Sequence, residues 1–179
     1  MNNQRQWLID NGFDDRVPAN LESLTAYMQG GNGKAICIMG AVGTGKTHAM
    51  LTLFRKYMTA SKLVSIYRDR RLSYDELIYG YNDVYVKEPP TVFFALDDLG
   101  SEHTLIDYGN KVEVCADFIS GRYDAFKRRS CVTHITTNLS PANITDRYGA
   151  RTWSRIKEMC VIVNFTGGDQ RQATIIKTG

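Results

Sequence analysis

Gly40-Ala41-Val42-Gly43-Thr44-Gly45-Lys46-Thr47 is the stretch whose reading decides the fold. It satisfies the pattern G-x-x-x-x-G-K-[ST] at every fixed position, and its three glycines let the backbone turn tightly and bring N–H groups close to an anion. Lys46 supplies a point charge for β- and γ-phosphates, and the Thr47 hydroxyl is a hard ligand suited to Mg²⁺. Immediately before the loop, Ala35-Ile36-Cys37-Ile38-Met39 is a continuous apolar run of the kind a fully buried strand shows. After it, Met50, Leu51, Phe54, Tyr57 and Met58 recur at helical spacing, which predicts a helix to about residue 59. Its N-terminus points its dipole at the phosphates, with His48 in the first turn counted among the nucleotide-binding residues.

The bulk composition is compatible with this reading and excludes some others. A length of 179 residues favours one domain, and an apolar fraction of 43% with 23% charged residues suits a globular chain with one good core. No apolar stretch approaches the ~20 residues that cross a bilayer. The first residues, Met1-Asn2-Asn3-Gln4-Arg5-Gln6, lack an apolar signal core, so a cytoplasmic protein with no membrane partner is expected. Cys37, Cys115, Cys131 and Cys160 are scattered, without C-x-x-C or metal-ligand spacing, and read as buried free thiols. His48, His103 and His134 are equally dispersed and suggest no metal site. A net charge of +3 permits a local nucleic-acid patch without announcing one.

Along the chain, residues 1–19 read as an irregular N-terminal strap and 20–179 as the folded domain. Asn20 can cap a short helix carrying Leu21, Leu24 and Met28 on one face, ended by Gly30-Gly31. Leu63-Val64-Ser65-Ile66-Tyr67 reads as the second strand. Ser73-Tyr74-Asp75-Glu76 forms a capping box, with Leu72 and Leu77 as its staple. Thr91–Leu96 is a third buried strand. A long helix is expected over 111–129, a fourth strand over Cys131–Thr136, and a helix opened by Ser140-Pro141. A helix over 150–158, a fifth strand over Cys160–Phe165 and a short edge strand at Ala173–Ile176 complete the pattern. Strands that are continuous apolar runs alternating with helices predict a parallel sheet covered on both faces.

A phosphate loop needs a second carboxylate at a strand end to hold Mg²⁺, and Asp97 follows the third strand where that carboxylate belongs. Asp98, one residue on, suits orienting or deprotonating an attacking water, with Glu102 a nearby substitute because aspartate is short. Asn138, at the end of the fourth strand, suits contact with a γ-phosphate or the water, or equally a simple turn before the Ser140 cap. Arg151 and Arg155 share one helix face. They read either as an arginine finger aimed at a neighbouring subunit or as a basic surface with Arg155 paired to Glu158. Arg68, Arg70 and Arg71 lie among Tyr67, Tyr74, Tyr79, Tyr81 and Tyr85, a mixture that suits single-stranded nucleic acid but also occurs on surfaces with no ligand.

With these residues in place, the chain resembles the bacterial replicative helicase loaders of the DnaC/DnaI type, AAA+ ATPases with IstB-like transposition ATPases as relatives. The resemblance runs from about residue 15 to the end. It rests on Gly40–Thr47, Leu96-Asp97-Asp98-Leu99-Gly100-Ser101-Glu102, Thr136-Thr137-Asn138-Leu139 and Arg151-x-x-Ser154-Arg155. It implies an α/β P-loop sandwich around a five-stranded parallel sheet of order 5-1-4-3-2, without a helical lid. It also implies an ATP and Mg²⁺ site with Asn138 as sensor-1, Arg155 as a finger acting in trans and Arg151 supporting the subunit contact. Arg171 falls at the sensor-2 position. Head-to-tail self-association, a replicative helicase and single-stranded DNA are the partners it implies, and only about 30 residues precede the first strand to grip a helicase. Help in transposition on duplex DNA and a nucleotide-gated scaffold with little hydrolysis are the competing readings.

Overall fold

The computed structural model describes residues 3–31, 33–54, 57–69, 93–129 and 131–169. In chain order the elements are α1 (Asn3–Asp10), α2 (Pro18–Gly30), β1 (Ala35–Met39), α3 (Lys46–Leu53), β2 (Met58–Thr59), α4 (Ala60–Arg68) and β3 (Phe93–Leu99). They continue with β4 (Leu105–Asp107), β5 (Asn110–Val112), α5 (Val114–Arg129), β6 (Val132–Thr137), α6 (Pro141–Tyr148), α7 (Ala150–Met159) and β7 (Cys160–Asn164). Five strands form one sheet in the order β2-β3-β6-β1-β7, and every pairing in it is parallel. With the separate hairpin β4–β5 left out of the count, this is the expected 5-1-4-3-2 arrangement.

β1 lies between β6 and β7 and explains why the sheet carries two cores. All five of its residues are buried. The odd side, Ala35, Cys37 and Met39, packs with α4, α5, α6 and α7 through residues such as Leu63, Phe118, Ile144 and Ile156. The even side, Ile36 and Ile38, packs with Leu8 of α1, Leu21 and Leu24 of α2, Ala49 of α3 and Val163 of β7. Period-2 alternation in a strand covered on both faces gives an unbroken apolar run, which is why the sequence reads as it does. All four cysteines are buried free thiols within these layers, and burial alone pushes the Cys37 thiol up to about 12.

Several elements differ from the expectation. The stretch 1–19 contains a helix, α1, whose Leu8 is wholly buried, and Phe13 joins the same core. α2 starts at Pro18, so Asn20 lies inside it and does not cap it. Its side chain instead clasps the backbone beyond β7, donating to Thr166 O at 3.0 Å and accepting from Thr166 N at 2.9 Å. α3 stops at Leu53 because Phe54 turns extended and lays its ring on His134, centroids 3.6 Å apart. The second strand is therefore the two-residue β2, and 63–67 is helical. Thr59 caps α4 by accepting from Lys62 N, and Leu63 and Val64 are buried while Ile66 and Tyr67 pack against the same core. Offsets of one, three and four residues also fit a helix, and a short apolar run does not distinguish the two.

The helix expected from residue 111 begins at Val114, and the residues before it form the β4–β5 hairpin. Tyr108 and Gly109, with φ of 47° and 80°, make its two-residue turn of the mirror-image kind that matches strand twist. The Ser140 cap and Pro141 at the first helical position are as expected, with Ser140 Oγ accepting from Asn143 N. Arg70, Arg71, the Ser73 capping box, the tyrosines at 74, 79, 81 and 85, Arg171 and the strand at 173–176 lie outside the described residues. Among the described residues no helix is long and apolar enough to cross a membrane.

Candidate nucleotide-binding site

The loop 40–45 joins the end of β1 to the start of α3. Gly45 has φ of 91° and leads directly into Lys46, so the first free N–H groups of α3 face the loop's concave side. Gly43, with φ of 81°, must lack a side chain for a second reason: a Cβ there would run into Asp169 from the segment after β7. Lys46 is only 6% exposed, and its ammonium donates to Ala41 O at 2.7 Å, which lays it along the loop. Thr44 Oγ1 also donates to Ala41 O at 2.9 Å, bracing the turn. An adjoining cavity of about 380 Å³ is lined by Val42, Gly43, Gly45, Lys46, Thr47, His48, Asp98 and Asn138.

The two acids emerge from β3 through a bulge. Leu96 pairs with Ile135 and Leu99 with Thr137, so β3 spends one residue more than β6 over this span. Asp98 takes up the excess with φ of 62°, a left-handed conformation that an aspartate tolerates better than most residues. Asp97 is buried, and its carboxylate accepts from Thr47 Oγ1 at 3.1 Å and from Thr136 Oγ1 at 2.5 Å. Thr136 Oγ1 in turn accepts the Asp98 N–H at 2.8 Å. The Asp98 carboxylate lies in the cavity wall and accepts from Asn138 Nδ2 at 3.2 Å. The adjacent loop lysine, hydroxyl and carboxylates form a donor set that fits a nucleotide phosphate chain with a hard divalent cation.

The remaining expected residues fall in three places. Gly40 and Ala41 shape the loop, and His48 serves both the cavity and the fold. Its Nε2 lies 2.9 Å from Asn11 O, and its ring is tilted against Phe13 at 4.8 Å, so α3 is tied to the N-terminal segment. Glu102 is not beside the cavity. It is 5% exposed and engaged by the Gly100 N–H at 2.9 Å, the Tyr148 hydroxyl and Arg147, so it does not stand in for Asp98. Arg151 and Arg155 do not line the cavity either. Arg151 is exposed, whereas Arg155 donates to Ser120 Oγ and lies over the Tyr123 ring at 5.0 Å. Glu158 is held by Lys127 and by the Tyr123 hydroxyl rather than by Arg155. Thr136 was missed by sequence reasoning, because a threonine inside a buried strand looks like any other β-branched residue.

The fold and the loop together define a P-loop nucleoside-triphosphatase architecture. Among solved structures, the chain superposes on the DnaC helicase loader with a TM-score of 0.55 at 21% identity, over 82% of this chain and 88% of that one. The corresponding values for DnaI are 0.57 and 19%, over 89% and 86%. A replication initiator DnaA bound to AMPPCP and single-stranded DNA gives 0.55 and 17%, over 83% of this chain and 46% of that one. The sequence matches no protein-family model and no curated protein. The likeness shows that this chain shares the fold of these proteins.

Proposed function

We propose that this protein is an ATP-dependent AAA+ ATPase that acts in DNA replication as a helicase loader-like protein on single-stranded DNA. One observation carries the nucleotide part: Thr47 and Asp97 converge at 3.1 Å beside the buried Lys46, on a cavity that Asp98 and Asn138 also face. The loop from Gly40 to Thr47 and the first turn of α3 would hold the phosphates, with Lys46 along them. Thr47 and Asp97 would hold Mg²⁺, which neutralises charge developing on the phosphoryl oxygens. Asp98 orients the attacking water, and Asn138 fixes that carboxylate while reporting on the γ-phosphate. Arg155, with Arg151 beside the contact, completes the site of a neighbouring subunit assembled head to tail, and Arg171 acts near the phosphates as sensor-2.

The replication part rests on the likeness to a helicase loader and to an initiator whose structure holds single-stranded DNA. A replicative helicase is the client that fits, and the residues around Arg68 are the DNA contact suggested by sequence. ATP turnover per subunit, followed across protein concentration with and without single-stranded DNA and helicase, tests this reading. Specific activity that rises with concentration and with DNA supports it. Flat activity indifferent to DNA and helicase speaks against the assembly. A second reading, a nucleotide-gated scaffold with little hydrolysis, is favoured by the Asp98–Asn138 hydrogen bond, which occupies the carboxylate that must face the water. Tight ATP binding without turnover under every condition would select it.

A further inference from the structure

The turn that follows Asp98 is clamped from a distant helix. Ser101 N–H donates to Asp98 O at 3.0 Å and Gly100 N–H donates to Glu102 Oε2 at 2.9 Å, which folds residues 98–102 back on themselves. On one side the turn abuts the end of β6: Thr137 Oγ1 donates to Leu99 O at 2.6 Å, and a Cβ at Gly100 would approach Leu139 to 2.7 Å. On the other side stands Arg147, in the last turn of α6. Its Nη1 donates to Gly100 O at 2.6 Å and its Nη2 to Glu102 O at 2.5 Å, while Nη2 lies 3.1 Å from Glu102 Oε1.

The guanidinium thus binds two backbone carbonyls and one carboxylate of a single five-residue turn. A planar fork of five donors is suited to this and an ammonium is not. Glu102 is almost wholly buried, so its charge depends on these partners and on the Tyr148 hydroxyl. Arg147 Nε also lies 3.7 Å from Glu113 Oε2, and Glu113 Oε1 accepts from Thr104 Oγ1 at 2.7 Å, which fixes the base of the β4–β5 hairpin to the same cluster. Glu102 is the buried centre of this cluster, while Arg147 and Glu113 are partly exposed, and together they fix the turn in one geometry.

We propose that Arg147 is a positioning residue that sets the Asp98 carboxylate through the 98–102 turn. Asp98 sits in the left-handed region at φ of 62°, and its backbone is held by Thr136 at its own N–H and by the clamped turn after it. Arg147 lies two residues before Gly149, the joint between α6 and α7, and α7 carries Arg151 and Arg155. Any displacement of that helix pair by a neighbouring subunit would therefore reach Asp98 through Arg147, with Tyr148 as a second hold on Glu102. The catalytic consequence rests on the ATPase reading above; the positioning itself does not.

The test compares wild type with Arg147→Gln and Arg147→Lys, and reads three quantities: nucleotide affinity with a fluorescent ATP analogue, turnover, and amide hydrogen exchange. Arg147→Gln is expected to raise exchange at Gly100 and Ser101 by roughly tenfold or more while β1 and α3 keep their protection. It should lower kcat by roughly tenfold or more with analogue affinity within about twofold, and Arg147→Lys should recover only part of the loss. Unchanged exchange at Gly100 and Ser101 would overturn the proposal, as would full turnover in both variants. If wild type binds the analogue but shows no turnover with DNA and helicase present, the ATPase reading fails and the exchange result alone decides the positioning. Should Arg147→Gln not fold, Glu102→Gln keeps the guanidinium and weakens its grip, and the same exchange readout applies.

Discussion

The hydroxyl of Thr136 stands 2.5 Å from Asp97 Oδ1 and donates to it, and the same oxygen accepts the N–H of Asp98. One β6 side chain thereby fixes both acids of the site relative to the central strands. Thr136→Val keeps the shape and removes the donor. A buried carboxylate that loses a hydrogen bond costs about 1–3 kcal/mol, so the urea midpoint should fall accordingly. The function should suffer more than the fold: the Mg²⁺ concentration needed for ATP binding should rise as Asp97 loses its orientation. An unchanged Mg²⁺ requirement would show that Thr136 does not serve the carboxylate proposed to hold the metal.

Lys46 is buried along the loop with its ammonium on Ala41 O. Replacing it with alanine removes the charged donor proposed to meet the phosphates and leaves the glycine turns untouched. Charge-assisted hydrogen bonds contribute about 3 kcal/mol, so Lys46→Ala should weaken ATP binding by roughly a hundredfold. Calorimetric titration measures this directly. Wild-type affinity in the variant would mean that the phosphates lie elsewhere.

Much of this site was legible in the sequence because its chemistry depends on fixed local spacing. The placement of Gly40–Thr47 between β1 and α3 and of Asp97-Asp98 near the end of β3 was readable, since a loop between strand and helix, and acids at a strand end, leave a one-dimensional trace. The bulge at Asp98 did not, because it depends on how many residues of β6 lie opposite. Met58-Thr59 and 63–67 exchanged roles for a similar reason: the apolar run Leu63-Val64 suits either periodicity, and only pairing of Thr59 with Asp97 along β3 settles where the strand lies. Glu102 looked available for the site because it is near Asp98 in sequence; Arg147 and Tyr148, more than 40 residues away, claim it.

Arg155 bonds to Ser120 and lies over Tyr123 of its own chain, and it is only partly exposed. If it completes a neighbour's site, Arg155→Ala should leave ATP affinity within about twofold while turnover falls by roughly a thousandfold, the scale of an arginine finger. Mixing Arg155→Ala with Lys46→Ala subunits should restore part of the activity, because at one interface the first supplies an intact loop and the second an intact finger. Absence of restoration at every ratio would count against action in trans.

His134 lies in β6 on the α3 side of the sheet, where the Phe54 ring covers it and its Nδ1 accepts the Ile36 N–H at 3.2 Å. Burial, reinforced by the Arg122 guanidinium, lowers its pKa from 6.5 to about 4. The native state therefore holds this imidazole neutral at pH values where the unfolded chain already binds a proton. Between pH 6.5 and about 4 the unfolded state carries more protons, so stability falls as pH falls through this window and is unaffected by this group above it. The full difference corresponds to about 3 kcal/mol. Urea unfolding of wild type and His134→Gln should give stability curves that run parallel above pH 7 and diverge below it, with wild type losing more on acidification. Carboxylates titrate in both proteins and cancel in the comparison. Curves that stay parallel down to pH 4 would show that the imidazole is not held neutral in the folded protein.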